Sequence, residues 1–181
     1  MSTRSSIFDL LNRTCAVLVF GALLSPDSHA CFAPPRAQVV TPEEQVAMAT
    51  DVSVAKVVRA TPSAAWSGRG RQRVEYEFEV VQRILGPDEA RFVIAGAQGE
   101  TRMAQPANDH GDEEFWRRGG GRLYNDSDCV LRPNFAVGES YLIFRDKPAT
   151  WRSFEHIETV RGRPNPDDKW LSYVVEKLGS R

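Results

Sequence analysis

The cleanest alternation in the chain is Val74-Glu75-Tyr76-Glu77-Phe78-Glu79-Val80, with apolar residues at every second position and three Glu between them. Side chains alternate across a strand, so this pattern predicts a strand with Val74, Tyr76, Phe78 and Val80 inward and the Glu row in water. The strand continues through Val81 to Ile84 and Leu85 and stops at Gly86-Pro87. A Val-rich run over 51–58, with Val52, Val54 and Val57/Val58, predicts a largely buried strand before it. Arg91–Ala95 predicts a third strand, Gly138–Phe144 a fourth and Ser153–Val160 a fifth. The stretch 61–73 is rich in Pro, Gly, Ser and Arg and reads as a loop. Two helices flank the strands. Thr41-Pro42-Glu43-Glu44 carries an N-cap, a first-turn proline and a capping-box Glu, and predicts a short helix ending near Ala49 or Thr50. Asn165-Pro166-Asp167-Asp168 opens a C-terminal helix with the apolar stripe Trp170, Leu171, Val174, Val175 and Leu178, stopped by Gly179. From Gly96 to Asp128 no periodicity is sustained, and a stretch of that length inside a compact domain marks function or mobility. Five strands between two helices, with no βαβ alternation, predict a mainly-β fold: a small five-stranded antiparallel barrel, closed or partly open, with a packed C-terminal helix.

Residues 1–30 stand apart from this pattern. Arg4 and Arg13 are followed by the apolar run Thr14–Leu24 and a polar segment ending in the small-x-small site Ser28-His29-Ala30. That is the plan of a secretory signal peptide cleaved after Ala30, which makes the protein exported, periplasmic or extracellular, with Cys31 as its first mature residue. The apolar run is too short to span a bilayer as a helix. Of the three cysteines, Cys15 leaves with the leader, so Cys31 and Cys129 form an even pair, expected to bridge in an oxidising compartment. Closing so long a loop contributes up to ~4–5 kcal/mol in the chain-entropy account. The competing reading of Cys31 is lipidation, a membrane anchor that would take its thiol out of reach of any disulfide. The whole chain has 181 residues and a net charge of −1. This is one domain's worth of core, without the clustered basic excess that nucleic-acid or anionic-membrane binding requires.

A leader followed directly by Cys31-Phe32-Ala33-Pro34-Pro35, a short helix, the Val-rich strand and the Tyr76–Leu85 strand ending in Gly86-Pro87 resembles the netrin-module superfamily. Cys129, followed by Phe135-x-Val137-Gly138-x-x-Tyr141-Leu142-x-Phe144, is similar to that superfamily's bacterial members. The best-known members are the tissue inhibitors of metalloproteinases. The resemblance covers most of residues 31–144 and implies an OB-type five-stranded barrel. It also implies a non-catalytic, protein-binding module whose N-terminal cysteine chelates a protease's catalytic zinc through its free amine and carbonyl. The next residue then enters the specificity pocket. By position Cys31 is the chelator and Phe32 the pocket residue, with Ala33 and Pro34 completing the wedge. The inhibitors carry a Cys-x-Cys pair before Ala-Pro-Pro, whereas here Phe32 stands directly before that tripeptide and Cys31 is alone. A structural role for Cys31 is therefore open beside the chelating one.

Other residue groups offer chemistry of their own. Asp109-His110-Gly111-Asp112-Glu113-Glu114-Phe115-Trp116 is the densest set of ligand types, with His110 and Asp112 or Glu114 as the metal pair that a small hydrolase would need. No two-His helical spacing accompanies it, so the segment reads as a solvated acidic loop pinned to the barrel by Phe115 and Trp116. Those two aromatics are also candidates for partner contact. They support an alternative reading as a structural or carbohydrate-binding envelope protein that works through the 96–128 loop. Asn125-Asp126-Ser127-Asp128 lacks the Gly and bidentate Glu of a calcium loop and reads as a turn. The basic stretches Trp66–Arg73 and Arg117–Arg122 read as solvated loops. Ser140 lacks a nucleophile-elbow turn, and Glu75, Glu77 and Glu79 form a solvated sheet face. The sequence thus predicts no enzyme, metal or cofactor; its expected partner is a protein.

Overall fold

The computed structural model describes residues 36–67, 71–98, 110–117, 131–147 and 149–179, all within the unit Cys31–Arg181. Thr41 caps α1 (Pro42–Ala47) as its sequence requires. The Thr41 hydroxyl accepts from the Glu44 N–H at 3.1 Å, and the Glu44 carboxylate accepts from the Thr41 N–H at 2.7 Å. Two of the helix's orphan donors are thereby satisfied. The strands are β1 (Val52–Ser67), β2 (Arg71–Leu85), β3 (Arg91–Ala97), β4 (Ser140–Phe144) and β5 (Phe154–Ile157). They form one antiparallel sheet in the order β3-β2-β1-β4-β5. The fourth strand returns beside the first after a long connection, which is Greek-key topology. That connection carries α2 (Glu113–Arg117), and the third α-helix among the described residues is α3 (Lys169–Gly179).

Several boundaries differ from the sequence reading: β3 runs on to Ala97 rather than Ala95, and α1 stops at Ala47 rather than near Ala49 or Thr50. The stretch 61–73 is largely strand: β1 runs on to Ser67 and pairs with the start of β2, Trp66 opposite Gln72. A register shift between Pro62 and Trp66 accommodates the proline, which cannot donate to a ladder, and hides the alternation. The fifth strand ends at Ile157. Thr159–Val160 (β6) pairs instead with Arg163–Pro164 (β7) across a turn in which both Arg161 (φ 54) and Gly162 (φ 77) are left-handed. That is the geometry that twists correctly into a two-residue hairpin. Finally, β4 starts at Ser140, because Gly138 at φ 95 belongs to the preceding turn.

The sheet is covered on both faces, and the alternation along β1 and β4 decides which residue goes where. Val52, Val54, Leu142, Phe144 and Ile157 face the helices, packing with Val46, Phe115, Trp170 and Val174. Ala55, Val57, Tyr141, Ile143 and Phe154 face the other way, into a second core with Val74, Tyr76, Phe78 and Phe92. Phe135 sits at the centre of this second core. Its ring centroid lies 4.9 Å from Phe78 on β2 and 5.6 Å from Phe154 on β5. In a flat sheet those strands would stand roughly 14 Å apart, so the sheet coils around Phe135. Among the described residues no ladder joins β3 to β5, and the sheet is open there. The Glu row of β2 faces outward as its pattern predicts, with Glu77 and Glu79 paired to Arg91 at 3.3 and 3.1 Å.

Candidate functional site

The wedge residues Cys31, Phe32, Ala33 and Pro34, the second cysteine Cys129 and the turn Asn125–Asp128 lie outside the described residues. What is described is the ground next to Cys129, the strap 131–136. The Pro133 carbonyl accepts from the Ala97 N–H at 3.2 Å, which ties the strap to the outer side of β3. The Tyr76 hydroxyl donates to Asn134 Oδ1 at 2.8 Å, and the Ala136 N–H donates to the Tyr141 hydroxyl at 3.0 Å. Phe135 then fills the coiled core edge-on against Tyr76, Phe78, Tyr141 and Phe154. The Pro-Asn corner and the Phe that follows it therefore serve one purpose, to seat this segment in the mouth of the open sheet.

Gly96 and Ala97 belong to β3, and beyond Gln98 the described part of the 96–128 stretch is the turn at His110 and helix α2. A five-residue helix does not hold itself together in water, so its attachments explain it. Phe115 is buried among the helix-side core residues, with its ring 5.6 Å from Trp170 and 4.8 Å from the His110 ring. Half-buried Trp116 packs at 5.2 Å against Tyr173 and donates its indole N–H to the His110 carbonyl at 2.9 Å. Arg152, fully buried, donates to the Val40 carbonyl at 3.0 Å and to the Phe115 carbonyl at 2.6 Å. The latter is one of the carbonyls that a helix end leaves without an internal partner.

His110 itself is buried and lies between two carboxylates from distant parts of the chain. Nδ1 is 2.7 Å from Asp168 Oδ2, and Nε2 is 3.5 Å from Glu155 Oε2. Asp168 divides its oxygens, since Oδ1 caps α3 by accepting from the Leu171 N–H at 2.8 Å. Glu155 reaches the helix side because it alternates with Phe154 and His156 on β5. Burial alone would drive the imidazole towards its neutral form. The hydrogen bond that Asp168 accepts, the 3.5 Å contact with Glu155 and the charge of both carboxylates outweigh burial and raise its pKa to about 9. The imidazolium is therefore the form present at neutral pH.

These positions correct two expectations. His110 is not solvated, and its partners are Asp168 and Glu155 rather than Asp112 or Glu114, which are exposed with Glu113. Phe115 is an internal residue, 4% exposed, so it cannot serve as a partner contact. With both ring nitrogens facing carboxylates, a metal ion at His110 would have to displace one of them. Among the described residues no three His, Cys, Asp or Glu side chains are grouped to hold a metal ion. His156 lies on the opposite face of β5 and meets Glu139 at 2.9 Å, so His110 and His156 do not converge. Ser140 is buried, with its hydroxyl 3.4 Å from that of Thr159. Sequence reasoning missed Arg152, Glu155 and the His110 role of Asp168. One signal was available: Glu155 takes an inward position between Phe154 and Ile157, where a charge requires a buried partner.

No family model, curated protein or solved structure matches the chain. No described helix is long and apolar enough to cross a membrane.

Proposed function

We propose that the chain is an exported, non-catalytic protein-binding module of the netrin-like kind, built on an OB-type sheet. The observation that carries this reading is the strand order. A five-stranded Greek-key sheet, coiled around one aromatic core and open between its third and fifth strands, is what a partly open OB barrel requires. The strap 131–136 fills the mouth where such a barrel would close. The leader-like residues 1–30 and the wedge-like Cys31-Phe32-Ala33-Pro34 supply the rest of the reading.

In its sharpest form the module inhibits zinc metalloproteinases. The free amine and carbonyl of Cys31 chelate the zinc, and Phe32 fills the adjoining pocket. A Cys31–Cys129 bridge would tie the N-terminus to the chain just before Leu131, where the strap is pinned by three hydrogen bonds and the Phe135 ring. Holding the wedge in its bound geometry lowers the entropic cost of binding. The carbohydrate-binding alternative loses support, because Phe115 and Trp116 are engaged with the helix-side core.

The test compares the mature chain starting at Cys31 with the same chain carrying one extra Ala before Cys31, against a panel of zinc metalloproteinases. Inhibition by the first and at least a tenfold loss with the second is expected. Equal inhibition by both, or none by either, would remove the zinc-chelating wedge.

A further inference from the structure

We propose that His110, with Asp168 and Glu155, forms a proton-dependent latch that holds the 110–117 segment on the sheet and releases it, with the sheet intact, when the imidazolium loses its proton. The inference rests on three parts of the chain meeting at one ring. His110 comes from the long β3–β4 connection, Glu155 from the edge strand β5, and Asp168 from the cap of α3. Arg152, from the turn before β5, is the other cation at this site, and its guanidinium lies 5.2 Å from the Phe115 ring. On the segment's own side Asp112, Glu113 and Glu114 are exposed and add no buried charge.

Protonated, the imidazole donates from Nδ1 to Asp168 and holds Nε2–H against Glu155 at 3.5 Å as an ion pair. Neutral, it keeps one donor, and its other nitrogen turns a lone pair towards a buried carboxylate. Buried Glu155 and partly exposed Asp168 then face a neutral ring where a cation stood, a loss of charge pairing that low-dielectric surroundings disfavour. The cheapest relief is to move the segment rather than the sheet, because α2 has a single turn and no stability of its own. The coiled core around Phe135 shares no residue with the helix-side core and has no reason to follow. Hydrogen bonding and charge from Asp168 and Glu155 place the transition close to pH 9. This inference stands on the described geometry and does not depend on the inhibitory reading.

The test is an NMR titration of the isotope-labelled mature protein from pH 6 to pH 10.5. It follows His110 Cε1, the Trp116 indole N–H that bonds to the His110 carbonyl, and methyl and ring signals of Ile143 and Phe78. The His110 and Trp116 signals should move together with a midpoint close to 9, while Ile143 and Phe78 stay fixed. Asp168→Asn, which keeps a side chain able to cap α3, should lower the midpoint by at least one pH unit. His110→Gln should show the released Trp116 signal already at pH 7. If His110 titrates while Trp116 stays fixed, if its midpoint falls at 6.5 or below, or if all four signals collapse together, the latch is overturned. Should His110→Gln fail to fold, the Asp168→Asn midpoint decides alone.

Discussion

Gly96 illustrates how one residue type can fix a packing arrangement. A Cβ built there would lie 2.0 Å from the Pro133 carbonyl oxygen and 2.9 Å from the Tyr76 ring. Only a glycine lets the strap pass so close to β3. Gly96→Ala should therefore cost roughly 1–3 kcal/mol, the range of a core position forced to overpack, read as a lowered urea midpoint at unchanged slope. Wild-type stability in this variant would mean that the strap is not seated there. His110 makes a different kind of claim. Its folded pKa, about 9, lies above the ordinary 6.5. Its contribution is thus fully present below 6.5, and it is lost as pH rises through 9. The shift corresponds to roughly 3 kcal/mol, so unfolding free energy should fall by about that amount between pH 6.5 and pH 10. His110→Gln should flatten that slope; a wild-type profile flat over this range would contradict the assignment.

At the scale of elements, some features were written locally and others were not. The capping box at Thr41, the Glu row of β2 and helix α3 (Lys169–Gly179) each depend on residues within a few positions of one another, and the pattern named them. Val175 is the exception in the helix stripe, exposed where it was expected inward. The second half of β1 was illegible because Pro62 and a register shift break the period. Helix α2 and the His110 cluster were illegible for another reason. Their partners lie 37 to 58 residues away in sequence, and no local pattern encodes such a meeting. The strap 131–136 stood out as a Pro-Asn corner before an apolar run, but its role as the plug of an open sheet needed coordinates. Its anchor is Phe135. Phe135→Ala removes a ring that contacts four others and should cost about 3–5 kcal/mol. A loss below 1 kcal/mol by equilibrium denaturation would mean that the sheet does not depend on its plug.

For the molecule as a whole, two cores on opposite faces of one sheet divide the labour. The helix-side core holds α1, α2 and α3 to β1, β4 and β5. The coiled core holds all five strands to the strap that follows Cys129. The proposed function places the contact surface at Cys31, which a bridge to Cys129 would anchor, so the proposal turns on what that chain end is. The measurement that tests it most directly is the intact mass of the full-length gene product expressed in a secreting host, before and after reduction and thiol alkylation. A chain starting at Cys31 whose two thiols react only after reduction is the predicted result: a free N-terminal amine tethered to Cys129. A retained leader, a lipid-sized mass increment, or a Cys129 thiol that alkylates without reduction would contradict it.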